Sequence, residues 1–176
     1  SIGRHFREAF RKAIASMEVS HPSIESADAN LKRLQQPTPD RIFGVFGAIR
    51  DGVNLKTVQE MTGIDPWFLH QFSLMASLET EVKDAPELTT DILLKAKREG
   101  VSDAVLSGWL DMSEGALRAE RWARHVNPSY LRVDTCAGEF ESFTPYMYSS
   151  YEGHCEAEPT DSESKVLILG SGPNRI

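Results

Sequence analysis

The chain has 176 residues, 40 % of them apolar, enough for a real core in one ordinary domain or two small lobes. Its 19 basic and 26 acidic residues leave a net charge of −7 and a pI near 5.2, a balance that opposes binding to nucleic-acid phosphates and to anionic membrane surfaces. No stretch approaches the roughly 18 apolar residues of a membrane span, no signal-peptide layout opens the chain, and Cys136 and Cys155 lack a CxxC spacing, so reduced thiols and a cytoplasmic setting are expected.

From Ile2 to Val19, Phe6, Phe10, Ala13 and Met17 recur at helical spacing, with Arg4, Arg7, Glu8, Arg11 and Lys12 on the other side; His21-Pro22 stops this helix. A weaker short helix is expected near Ile24 to Leu34, and Pro37-Thr38-Pro39-Asp40 is a rigid break. A third helix, about Asp40 to Asp51, carries Ile42, Phe43, Phe46 and Ile49 as its apolar stripe.

From Arg50 the chain repeats itself. Arg50-Asp51-Gly52-Val53-Asn54 matches Arg98-Glu99-Gly100-Val101-Ser102 at an offset of 48, and Val58, Met61, Ile64, Asp65 and Leu69 match Leu106, Trp109, Met112, Ser113 and Leu117. Gly52 and Gly100 suit the left-handed end of a helix. Asn54 and Ser102, then Asp65 and Ser113, suit N-caps, and Pro66 suits a first helical position. The middle of the chain therefore reads as helix, turn, short helix, turn, helix, written twice. The helix after Pro66 runs to about Val82, with Leu69, Phe72, Ala76 and Glu79 in line. After Pro86, Thr89 or Thr90 caps another, and the last runs from Glu114 to about His125, halted by Asn127-Pro128. Seven or eight helices are expected in all, with no good strand before Tyr130.

Residues 129–164 read differently. Gly138, Pro145, Gly153 and Pro159 punctuate them, and Tyr130, Phe140, Phe143, Tyr146, Tyr148 and Tyr151 make them aromatic. An irregular arm lying against an apolar surface is expected rather than a floppy linker. Thr160 to Ser164 is a polar hinge. Val166 to Leu169 then reads as the first buried strand of an α/β domain, cut off before its neighbours. With Ser1 in place of methionine, the expectation is a piece of a longer polypeptide.

Candidate chemistry is thin. The five histidines (His5, His21, His70, His125, His154) form no HExxH; His154-Cys155 with Glu152, Glu156 and Glu158 is the densest ligand cluster, on an extended segment that suits shared chelation poorly. Cys136 has no nucleophile signature around it and reads as a buried hydrophobe; a Cys-dependent enzyme would require it to label rapidly with a thiol reagent. Glu139 with Glu141, and Glu156 with Glu158, read as solvated edges rather than acid–base pairs. Arg118, Arg121 and Arg124 form a basic stripe, offset by Glu114 and Glu120, on a helix that could mimic a DNA reader. Gly170-Ser171-Gly172 resembles the opening of a phosphate-cradling turn, but Arg175 stands where GxGxxG has its third glycine.

Several of these strings together, namely Ser1-Ile-Gly-Arg4, Ile64-Asp-Pro-Trp-Phe-Leu69, Arg132-Val-Asp-Thr-Cys-Ala137 with Glu139-Phe140, Tyr146-Met-Tyr-Ser149 with Tyr151-Glu152, and Gly170-Ser-Gly-Pro-Asn-Arg-Ile176, resemble the large chain of carbamoyl-phosphate synthase over essentially the whole length. Gly138 and Ser171 stand where that family often has Ala and Gly. The resemblance implies the helical oligomerisation domain between two ATP-grasp halves, one forming carboxyphosphate and then carbamate, the other phosphorylating carbamate. It implies a mostly α fold, with residues 1–128 as the helical domain, 129–164 as the connecting arm and 165–176 as the truncated start of the following half. For the parent enzyme it implies an ATP-dependent, glutamine-hydrolysing ligase serving arginine and pyrimidine biosynthesis, with ATP, magnesium and potassium as cofactors, a glutaminase small chain as partner, and self-association. No catalytic, cofactor-binding or metal-binding residue is carried over to this segment. The expectation is a non-catalytic spacer and self-association module; the alternative is a free-standing acidic helical protein-binding module.

Overall fold

Two strings related by a 48-residue shift fold alike. The computed structural model describes residues 1–17, 24 and 34–168. In the first unit α2 (Arg41–Arg50) is followed by α3 (Leu55–Thr62) and α4 (Pro66–Asp84); in the second, α5 (Thr90–Arg98) is followed by α6 (Asp103–Trp109) and α7 (Glu114–Ala123). With α1 (Phe6–Ala15), the described residues hold seven helices.

The turn chemistry repeats. Gly52 (φ +88°) and Gly100 (φ +83°) occupy the left-handed region. The amide of Val53 donates to Ala48 O at 2.9 Å, and that of Val101 donates to Ala96 O at 3.1 Å. Asn54 and Ser102 cap α3 and α6, while Asp65 and Ser113 cap α4 and α7, each accepting a bond from an otherwise orphaned amide. Thr89, not Thr90, caps α5. At the next turn the sequences diverge but the backbone does not: Gly63 (φ +71°) corresponds to Asp111 (φ +50°). Asp tolerates that region better than most non-glycine residues.

Each unit buries its own core. Phe43, Phe46, Val58, Leu69, Phe72 and Met75 belong to the first, and Leu93, Ala96, Val101, Leu106 and Leu117 to the second. The long helix α4 joins them, since Leu69, Phe72, Met75 and Ala76 face the first core while Leu78 and Val82 face the second.

The first helix has no solvated face of the kind its charges announce. Phe6, Phe10 and Ile14 pack on the first core. Glu8 and Arg11, expected on an outer side, are buried. Their side of α1 lies on the second unit, where Arg11 Nη1 donates to Glu99 O at 2.8 Å and Arg7 Nη2 to Glu99 Oε1 at 2.7 Å. Met17, expected on the apolar stripe, lies beyond the helix end and is exposed. The short helix expected near Ile24 to Leu34 falls mostly outside the described residues; Ile24 and Leu34 themselves are buried in the first core.

The arm is not wholly irregular. β1 (Ser129–Arg132) and β2 (Met147–Ser150) pair antiparallel, with Ser129 opposite Ser150 and Arg132 opposite Met147. Strands this short do not stand out among the flanking Gly and Pro residues; their inward residues are Leu131 and Ser150. Gly138 lies at φ +75°, after Ala137 at φ +53°. Farther on, Lys165 to Ile168, read from sequence as the opening of a strand, have no regular structure, and Val166, Leu167 and Ile168 are 85–89 % exposed. A strand requires a ladder partner, and the described residues give these none. Leu169 and the Gly170-Ser171-Gly172 turn lie outside the described residues.

Candidate functional site

Several buried charged side chains of the helical body are bound to one another. In the second unit Lys97 Nζ donates to Asp103 Oδ1 and to Val101 O, each at 2.7 Å. Arg121 Nη2 reaches Asp103 Oδ2 at 3.2 Å, and Arg121 Nη1 reaches Val126 O at 2.8 Å. Lys97 and Arg121 are both buried. Burial pushes the Lys97 ammonium below its ordinary range against the pull of Asp103. Burial acts to raise the Asp103 carboxyl, but hydrogen bonds and charge from Lys97 and Arg121 outweigh it and hold that carboxyl low. Glu99 behaves likewise: burial raises it, and the Arg7 guanidinium wins and lowers it.

A pH dependence follows. Both carboxyls bind protons less tightly folded than unfolded, so their stabilisation is complete above the ordinary values of 4.5 for Glu99 and 3.8 for Asp103 and is lost as pH falls through the depressed folded values. The thermal midpoint is therefore expected to be flat near neutrality and to drop through acid pH. Asp103→Asn should flatten part of that drop.

The basic stripe seen in sequence is part of this internal network. Arg118 pairs with Glu114 at 2.5 Å, Arg121 with Asp103, and Arg124 Nε with Glu120 at 2.7 Å, with Nη1 donating to Leu88 O. Arg7, Arg11 and Lys12 are likewise engaged by Glu99, Met75 O and Glu8. Among the described residues no group of three His, Cys, Asp or Glu gathers to hold a metal.

One of the groups noted in the sequence comes together on the surface. His154, Cys155, Glu156 and Glu158 do line one surface hollow of about 600 Å³ with Arg132, Phe140 and Phe143. Glu156, however, accepts the Arg132 amide at 2.5 Å, bracing β1. Cys136 is half-buried and free; its side-chain neighbour is the Thr135 hydroxyl at 4.0 Å, with no histidine bonded to it among the described residues. Glu139 and Glu141 are exposed.

Apolar surface, by contrast, is left open. A ladder of rings runs outward from the first core: Phe46 to Phe72 (6.4 Å), Phe72 to Phe10 (5.2 Å), Phe10 to Phe6 (5.3 Å), and Phe6 to Trp67 (5.3 Å) and Phe68 (5.4 Å). Trp67 at its outer end is 52 % exposed. Leu74 and Trp122 hold equivalent places in the two units and are both exposed, Trp122 by 58 %. On the arm, Phe140 and Phe143 are 76 % and 74 % exposed. Rings this open lie outside the two cores. Sequence reasoning left Trp67 and Trp122 without an assigned face and expected the arm with Phe140 and Phe143 to lie against an apolar surface, whereas among the described residues both rings are exposed. It also missed the Lys97–Asp103–Arg121 triad, which a reading of the repeat's mismatches would have found, since Ile49, Leu55 and Ser73 stand at the same places in the first unit.

The fold defines a class: a duplicated helical module that leaves several aromatic rings exposed. Residues 1–125 match the family model for the carbamoyl-phosphate synthetase large chain, oligomerisation domain. Carbamoyl phosphate synthase large chains from Thermotoga neapolitana and Renibacterium salmoninarum are 44 % and 40 % identical to it, and the arginine-specific, chloroplastic large chain of Oryza sativa is 40 % identical, each over 100 % of this chain. The chain belongs to the carbamoyl-phosphate synthase large chain family, as its oligomerisation domain. It spans 16 % of the length of these relatives. No helix among the described residues is long and apolar enough to cross a membrane.

Proposed function

We propose that this segment is the non-catalytic spacer and self-association module of a carbamoyl-phosphate synthase large chain. It sets the separation of two ATP-grasp halves in the same polypeptide and offers a surface on which copies associate. The parent is then a cytoplasmic ligase making carbamoyl phosphate from bicarbonate, glutamine-derived ammonia and ATP for arginine and pyrimidine synthesis. Magnesium, potassium and nucleotide are bound outside this segment, and a glutaminase small chain supplies the ammonia. The observation that carries the reading is a contrast: Lys97, Arg121 and Arg7 are engaged by Asp103 and Glu99, while Trp67, Trp122, Phe140 and Phe143 stand open.

Two measurements on the purified chain test it. Bicarbonate-dependent ATP turnover should be absent; detectable turnover overturns the non-catalytic role. The mass in solution should rise with concentration, and Trp67→Ser or Trp122→Ser should reduce that rise. A strict monomer at high concentration removes the self-association half and leaves the spacer.

A further inference from the structure

One of the differences between the two units is a buried set of charges. The first has Ile49, Leu55 and Ser73, with Ile49 buried in its core. The second has Lys97, Asp103 and Arg121, a closed ionic triad at the same three positions of the same turn-and-helix frame. The frame folds without charges in the first unit. A buried triad is a poor way to gain stability, since apolar residues of similar volume serve as well or better. A ring lies on the second unit's triad: the centroid of Tyr151, just past β2, is 5.1 Å from Lys97 Nζ and 5.7 Å from Arg121 Cζ. Arg98 Nε reaches the Tyr151 carbonyl at 3.4 Å, and Ser150 beside it is buried. Two cations within 6 Å of the centroid of one partly buried ring form a cation–π site.

We infer that Tyr151 and the Lys97–Asp103–Arg121 triad are a latch that docks the connecting arm on the second helical unit and gives it a fixed direction. An isolated two-stranded ribbon is marginal in water, so the order of β1 and β2 depends on this docking. A second point of attachment aims the same way. Lys12 on α1 donates to Ser149 O and to Ile2 O (3.2 Å) and lies 5.8 Å from the Tyr148 ring, tying the arm to the residues that lead into α1. The inference deepens the spacer reading and rests on it for its purpose, because a spacer with a loose arm fixes no distance.

Hydrogen exchange on the full-length polypeptide tests it, reading the β1–β2 ribbon separately from α5, α6 and α7. Tyr151→Leu should speed exchange in the ribbon by about tenfold or more and leave the helices unchanged, while Tyr151→Phe, which keeps the ring, should behave as wild type. The triple change K97I/D103L/R121S, which writes the first unit's residues into the second, should free the ribbon while the helices stay protected. Unchanged exchange in the ribbon of Tyr151→Leu overturns the latch. So does a triple variant whose helices loosen as much as its arm, for then the triad is ordinary core. Neither outcome touches the non-catalytic reading, which ATP turnover tests separately.

Discussion

Asp103→Ala is expected to lower the unfolding free energy by about 3 kcal/mol or more. Asp103 is the shared acceptor of Lys97 and Arg121, whose side chains are only 6 % and 8 % exposed. Removing the carboxylate deletes its bonds at 2.7 and 3.2 Å and leaves two cations buried side by side without a counter-charge. Their carbonyl partners, Val101 O and Val126 O, neutralise neither. Arg118, 3.9 Å away, loses an acceptor but keeps Glu114. Urea unfolding checks this as a fall in midpoint at unchanged slope. The effect should be non-additive: adding K97I and R121S to a change at 103 should restore most of what the single substitution loses, since the cost lies in stranded charge rather than in a missing bond. A loss under about 1 kcal/mol would mean that water reaches the triad and screens it.

The repeat was legible because it is written in backbone rules. Gly at a positive φ, Asn, Ser or Asp before a helix, and Pro at a first helical position each leave a local mark, and all seven described helices lie close to where those marks put them. What the sequence hid depends on which unit lies against which face. The charged side of α1 reads as solvated by periodicity alone, yet Glu8 and Arg11 are buried because the turn at Glu99-Gly100 lies on that side. Trp67, along the helix from buried Leu69 and Phe72, is as apolar as they are, and only the packing of Phe6 against its inner edge shows that its outer half is free. The arm's strands were illegible for a different reason. Four residues on each side, separated by residues 133–146, carry too little alternation to announce themselves, and they hold together through Tyr151 and the body beneath it.

The two units also divide the work of the domain. Their cores meet along α4, and α1 lies across both, apolar side on the first and polar side on the second. Loss of α1 from either unit should therefore loosen the pair rather than one half. That makes the α1 contact with the second unit the place where a small steric change has the widest consequence.

Gly100→Ala and Gly52→Ala test that contact as a matched pair. Both glycines close a helix at nearly the same left-handed φ, +83° and +88°. An alanine at either position costs about 1 kcal/mol for the backbone alone. Their surroundings differ. At Gly52 an added Cβ meets nothing within 4 Å; at Gly100 it would stand 2.8 Å from the Cα of Glu8 and 3.1 Å from its carbonyl oxygen. Those are backbone atoms of α1, which can yield only by moving the whole helix and stretching Arg7 and Arg11 away from Glu99. Overpacking of that kind adds about 1–3 kcal/mol, so Gly100→Ala should lose about 3 kcal/mol in urea unfolding where Gly52→Ala loses about 1. Displacement of α1 also draws Phe6 off Trp67, so the tryptophan fluorescence of folded Gly100→Ala should change while that of Gly52→Ala does not. Equal losses in the two variants would show that α1 does not rest on the second unit, and with it the explanation of the buried Glu8 and Arg11 would fail.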